Sequence, residues 1–202
     1  MTTNPLAAEF DVWRVLPTIV GVVAVVLICL LASRYCSVFA AEQGDAPYKV
    51  AEIYKEMRER VLKLTPAELG ETDDSKILAV VMDTGFSEGA FTLVATVDGS
   101  ASLYFSSGGG VIGAGQHAEG AKTSKAFLTE AAKYSGKMTA TKDTPMAAPG
   151  KTVFYLVSGK GIVTVAAKED DFGEGRHAVS PLFHRAHELI TVIRSIDEAR
   201  AK

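Results

Sequence analysis

An α+β domain built on an antiparallel sheet, tethered to a membrane by one N-terminal helix, is the fold class this sequence predicts, and three observations predict it. Residues 15–33 read VLPTIVGVVAVVLICLLAS without one charged residue. Beyond residue 47, stretches with the three-and-four spacing of half-buried helices alternate with short runs rich in β-branched and aromatic residues. Two gaps between those runs, at Asp98-Gly99 and Gly159-Lys160, hold residues that hairpin turns select.

The apolar run comes first. Its nineteen residues rise about 1.5 Å each as a helix, which gives roughly 28 Å, close to the hydrocarbon thickness of a bilayer. Trp13 and Arg14 precede it and Arg34 and Tyr35 follow it, the residue types that anchor at the two interfaces. A buried core helix would show a polar stripe, and this run has none. A cleaved signal peptide is the stronger rival, since Val38-Phe39-Ala40 has cleavage-site spacing, but the run exceeds a usual signal core and Arg34 interrupts the approach. Within the span Gly21, Ala24 and Ala32 offer small surfaces for another helix. Arg14 stands alone before the span, whereas Arg34, Lys49 and further bases follow it, so the bias puts the domain on the cytoplasmic side.

The predicted organisation is a tail at 1–14, the span at 15–33, a linker at 34–47 containing Gly44 and Pro47, and an α+β domain at 48–202. Over 48–64 the apolar residues Val50, Ile53, Tyr54, Met57, Val61 and Leu64 form a helical stripe opposite a face of Lys, Glu and Arg. Strands are expected at 77–82, 90–97 and 101–106, with a two-residue turn at Asp98-Gly99. A helix over 118–135 should cover one sheet face through Phe127, Leu128 and Ala131. A second hairpin, 152–157 with 162–167, turns at Gly159-Lys160. The last helix opens at Ser180-Pro181, a cap hydroxyl followed by a first-turn proline, and runs to about residue 199. The sum is a five-stranded antiparallel sheet with about three packed helices, an order that resembles profilin-like and roadblock/longin arrangements at the level of fold.

Composition narrows the function. With 48% apolar and 22% charged residues the chain can bury a core. A net charge of −3 with intermixed signs lacks the basic stripe that holds phosphate backbones, so nucleic acid is not an expected partner. Cys29 and Cys36 are the only cysteines, so the domain offers no thiol nucleophile and no disulfide.

The densest chemical signal is SSGGGVIGAGQH at 106–117, where Gly108, Gly110 and Gly113 match GxGxxG. A dinucleotide fingerprint joins a parallel strand to its helix, whereas this loop follows an antiparallel meander, and no Gly-Lys-Ser/Thr completes a Walker loop. Gly108, Gly109, Gly110, Gly113 and Gly115 then either expose backbone N–H groups to an anion or partner, or let Val111 and Ile112 tuck into the core. His184 and His187 sit three apart on the last helix, but helical geometry turns both to solvent, and the acidic run EDDFGEGRH lacks the spacing of a calcium loop, so no metal is assigned. No nucleophile–base pattern is visible, so no catalytic residue or cofactor is assigned.

The strings DGSASLYFSSGGGVIGAGQH (98–117) and FGEGRHAVSPLFH (172–184) resemble an uncharacterised family of bacterial proteins with no assigned activity. The resemblance covers roughly residues 62–196. It implies that the span is an addition to a domain otherwise soluble, and it pairs the Gly-rich loop with the loop at 173–180, so that His117, Arg176 and His177 would share one end of the sheet. The expected function is a membrane-tethered, non-enzymatic interaction module, an accessory subunit meeting other membrane proteins and the bilayer. The alternative is a small-ligand binder or enzyme using loop 106–117.

Overall fold

The structure, a computed structural model, describes residues 48–201. The expected span, with Trp13, Arg14, Gly21, Ala24, Ala32, Arg34 and Tyr35, lies outside the described residues. Among the described residues no helix is long and apolar enough to cross a membrane.

The chain forms α1 (Glu52–Leu62), β1 (Ile77–Gly85), β2 (Ala90–Thr96), β3 (Ala101–Phe105), β4 (Gly110–Val111), α2 (Ala118–Ala132), β5 (Thr139–Thr141), β6 (Lys151–Ser158), β7 (Gly161–Lys168), α3 (Glu169–Gly173) and α4 (Ser180–Arg200). The class is α+β, but the five expected strands are seven, in one sheet ordered β4-β3-β2-β1-β6-β7-β5. Its ladders are antiparallel. The two additional strands are edges of two and three residues, too short to carry a readable alternation. The three expected helices are four among the described residues: the acidic run, read as loop, folds into α3 because Phe172 is fully buried, its ring edge-on to Phe154 at 5.5 Å.

Helix α1 covers one sheet face, where Ala79, Val81, Val94 and Tyr155 meet Tyr54, Val61 and Leu62. Helices α2 and α4 cover the other, where Val80, Met82, Leu93 and Phe154 meet Phe127, Leu189 and Ile193. Strand β1 is consequently buried from Leu78 to Gly85, which explains its unbroken apolar reading over 77–82. The β2–β3 turn has three residues rather than two: Thr96 N–H donates to Ser100 O and Gly99 N–H to Thr96 O, with Gly99 at φ 90°. In the β6–β7 turn the two residues are as expected, but Gly159 is there for space, since a Cβ would stand 2.8 Å from Asp74 Cα and from Pro66 Cγ. Ser180 is the first residue of α4 and not its cap, a position held by Val179; its hydroxyl reaches back to Asp171 O at 3.4 Å.

One further correction exposes what holds α1. Ile53, expected on the buried stripe, is 53% exposed, and Arg58, expected on the charged face, is 7% exposed. Tyr54, Arg58 and Val61 share one side of the helix at spacings of four and three. Arg58 donates through Nε to Asp83 Oδ2 at 2.8 Å and through Nη2 to the same oxygen at 2.6 Å and to Pro145 O at 3.1 Å. Thr92 donates to Asp83 Oδ1 at 2.6 Å. That occupies the Thr92 proton, so Tyr54, whose hydroxyl lies 2.7 Å away, is the donor to Thr92. Tyr155 donates to Pro145 O at 2.6 Å. Burial, reinforced by the Asp83 charge, holds the Tyr54 and Tyr155 phenols well above their ordinary range, so both stay protonated donors. Burial pulls the Arg58 pKa down and Asp83 pushes it up, with a net rise that keeps the guanidinium charged.

Removing one partner of such a pair leaves a bare buried charge, which costs about 3–5 kcal/mol, whereas replacing both with hydrocarbon is close to neutral. Asp83→Ala is therefore expected to lower the unfolding free energy in urea by about 3–5 kcal/mol, and Arg58→Met with Asp83→Leu by much less. Equal losses in the two variants would show that the pair is not what fixes α1.

Candidate functional site

The Gly-rich loop turns out of β3 and returns as β4. Gly108, Gly109, Gly110 and Gly113 all have positive φ, which explains the residue type throughout. Two glycines answer a tighter demand. A Cβ on Gly110 would stand 2.2 Å from Leu103 O, and one on Gly115 would stand 2.2 Å from Gly99 O. The loop is thus pressed backbone-to-backbone against β3 and against the β2–β3 turn. The Gly108 N–H donates to Phe105 O at 2.9 Å, closing the turn on itself. Of the two residues expected to tuck inward, Val111 is buried, but Ile112 is 58% exposed.

Arg200, in the last turn of α4, closes the far side of the loop. It donates to Ile112 O at 3.1 Å and to Gly113 O at 3.3 Å, and its Nη2 lies 3.0 Å from His117 Nε2, which accepts in the tautomer protonated at Nδ1. Beside this contact a cleft of about 470 Å³ opens between α4 and the start of α2, lined by His117, Glu119, Val192, Ser195 and Ile196. A second, of about 460 Å³, lies between α4 and strands β2–β4, lined by Phe91, Leu103, Phe105, Val111, Ile190 and Arg194. No glycine of the loop lines either cleft. The role of Arg200 was invisible in sequence because its partners lie 83 to 88 residues away.

Arg176 and His177 are not brought to this place. They sit just before Ser180, the first residue of α4, whereas Arg200 at its other end holds the Gly-rich loop. A helix of 21 residues rises about 1.5 Å per residue, which separates Arg176 and His177 from the Ile112–His117 part of the segment by roughly 30 Å. His117 is thus apart from Arg176 and His177, whereas the β3–β4 turn bearing Gly108 and Gly109 lies at the same end of the sheet as the β7–α3 junction, where Gly85 pairs with Ala90 and accepts from Gly150 N–H. Each residue has local work: Arg176 Nε and Nη2 donate to Asp171 Oδ1, its Nη1 meets Glu174, and His177 Nδ1 accepts from Val179 N–H at 3.1 Å while its ring packs on Phe172.

His184 is exposed, as its helical position predicts, but His187 is half-buried on Phe183 with ring centroids 4.3 Å apart. Its Nε2 is buried with no hydrogen-bond partner among the described residues. These residues hold no group of three or more His, Cys, Asp or Glu placed to share a metal. Burial, with a smaller contribution from His184, lowers the His187 pKa.

No protein-family model, curated protein or solved structure matches the chain. The functional reading rests on its own residues.

Two expectations follow. Gly110→Ala should destabilise far more than Gly109→Ala, because nothing lies within 4 Å of a Cβ at Gly109 and only its left-handed backbone costs about 1–2 kcal/mol. Thermal unfolding of the pair measures the difference, and equal shifts would contradict the packing role. For His187, the unfolded chain takes up its proton at a higher pH than the folded chain does. Its contribution is therefore complete above the ordinary histidine pKa of about 6.5 and falls as pH drops through that value toward the lower folded one. His187→Phe should flatten that part of the stability profile, as urea titrations at several pH values will read.

Proposed function

We propose that this protein is a membrane-tethered, non-enzymatic interaction module that serves as an accessory subunit among other membrane proteins. The observation that carries the tether is the uncharged run at 15–33 between Trp13-Arg14 and Arg34-Tyr35. Gly21, Ala24 and Ala32 supply a close-packing surface for a neighbouring helix within the bilayer. One such helix cannot enclose a pore, so its work is to hold the domain at the membrane. The Lys and Arg bias supports a cytoplasmic domain.

Support for an interaction role in the domain comes from how its polar groups are engaged. Arg58, Arg176 and Arg200 are bound to partners within the fold, and the glycines at 110 and 115 answer backbone contacts. The order of hairpins around a crossover helix resembles profilin-like and roadblock/longin platforms, a likeness of fold alone. The ligand alternative keeps one observation in its favour, the cleft beside His117 and Arg200.

Extraction decides between them. The chain is expected to stay in the membrane pellet after alkaline carbonate washing and, after solubilisation in mild detergent, to purify with other membrane subunits in fixed ratio. Release by carbonate would overturn the tether, and purification alone would overturn the accessory-subunit role.

A further inference from the structure

Among the described residues four large apolar side chains are exposed: Ile53, Phe86, Phe105 and Ile112. Isolated cases are ordinary on a protein surface. Here three of the four lie toward one end of the sheet, Phe86 and Phe105 on the side of α4 and Ile53 on α1 across the sheet from them. Phe86, in the β1–β2 turn, has its ring centroid 5.8 Å from that of Phe91, and Phe91 is the cross-strand partner of Phe105. Ile53 lies in the first turn of α1, two residues after Ala51, whose N–H donates at 2.8 Å to the carbonyl of Ser106, the neighbour of Phe105. Ile112 lies elsewhere, beyond β4 and against Arg200.

The same end receives the chain from the apolar run. The Ala51–Ser106 bond and the Tyr48 hydroxyl, which donates to Ala147 O at 2.9 Å, fix the first described residues there. Helix α1 then runs away from it toward Pro66, which packs at the β6–β7 turn on the opposite end. We propose that Ile53, Phe86 and Phe105 enter the interfacial zone of the bilayer, a second and reversible membrane contact beside the anchor. The proposal rests on the tether put forward above.

Three arguments favour lipid as the occupant. Fourteen residues, 34–47, separate the run from the domain, so even fully extended they hold this end within roughly 50 Å of the bilayer. A tether of that length keeps the three side chains at high effective concentration near lipid, so a contact too weak to recruit a free domain suffices. Aromatic rings are also the side chains that settle at headgroup depth. The charges that line the cleft with Phe91 and Phe105 are of both signs, Arg194 with Asp197 and Glu198, so the contact is apolar in origin and needs no anionic lipid.

The test uses the full chain reconstituted in phosphatidylcholine vesicles whose acyl chains are brominated, in a Trp13→Phe background that leaves one tryptophan per variant. Phe105→Trp and Phe86→Trp, each checked for folding by circular dichroism, should lose most of their emission relative to unbrominated vesicles. Lys160→Trp, at the opposite end, should keep its emission. If Leu27→Trp in the apolar run is quenched while positions 86 and 105 are not, the second contact is overturned and the tether stands. If Leu27→Trp is also unquenched, the tether fails and takes the proposal with it. A blue-shifted but unquenched tryptophan at 105 would mean that protein covers this end, which also overturns it.

Discussion

The placement of one charge pair governs how this domain closes. Asp83 sits at the middle of the sheet on β1, fully buried, and no water reaches it to satisfy a carboxylate. Its oxygens are met only when α1 brings Arg58 down onto the face and β2 presents Thr92. Arg58 in turn needs a further acceptor, and finds it in Pro145 O, so the loop between β5 and β6 must lie across the same face. Tyr155 donates to that carbonyl from β6 and Tyr54 donates to Thr92 from α1, which ends the chain of bonds without an unmatched group. A hydrocarbon pair would hold α1 about as strongly. What the ion pair adds is position, because sliding the helix by one turn would strand both charges.

Close backbone approaches finish what the ion pair begins. Where the loop before β6 meets β1, Gly85 leaves no room for a side chain: a Cβ would stand 2.3 Å from Ala147 O. Gly110 and Gly115 play the same part for the loop after β3, and Gly120 for the first turn of α2, where Ala114 O would be 2.1 Å from a Cβ. Arg200 then pins this region to the end of α4. The glycine-rich segment is thus a product of tight packing, and its likeness to a nucleotide fingerprint follows from the same residue type serving a different geometry.

Much of this fold could be read in advance because its long elements obey a single period. The apolar stripe of α4, the β6–β7 turn and the run of β1 each follow from local spacing. Arg58 misled because a charged residue on an amphipathic helix is read as solvated, although its spacing from Tyr54 and Val61 put it on the buried side. Asp83, directly after a run of apolar residues in a strand, was the matching signal. Phe172 was a lone aromatic among acids, and only the tertiary pocket formed by Phe154 and Phe183 makes α3 intelligible. For the candidate site the residue types were legible and their meeting places were not. Arg176 and Arg200 look alike in sequence, yet one 21-residue helix separates the places where they bind.

The sheet edges constrain how such a module can meet a partner. Long open edges invite another strand. Here β4 has two residues and is followed by a loop held through Arg200, and β5 has three. The β4 side offers no ladder long enough to template an extended segment, whereas β5 pairs only Ile162–Thr164 of β7 and leaves the outer edge of its last four residues without a strand partner among the described residues. The broad faces are covered over the central strands, by α1 on one side and α2 with α4 on the other, while β7 stays half-exposed along its length. What is left for contact is the half-exposed β7, the ends of the sheet and the outer surfaces of the helices. Of these, one end carries both exposed phenylalanines of the described residues, Phe86 and Phe105, near the first described residues of the chain. On the proposed tether, a domain held on a short linker meets whatever lies next to its anchor far more often than anything in free solution, and exposed aromatics placed there are exposed where exposure costs least.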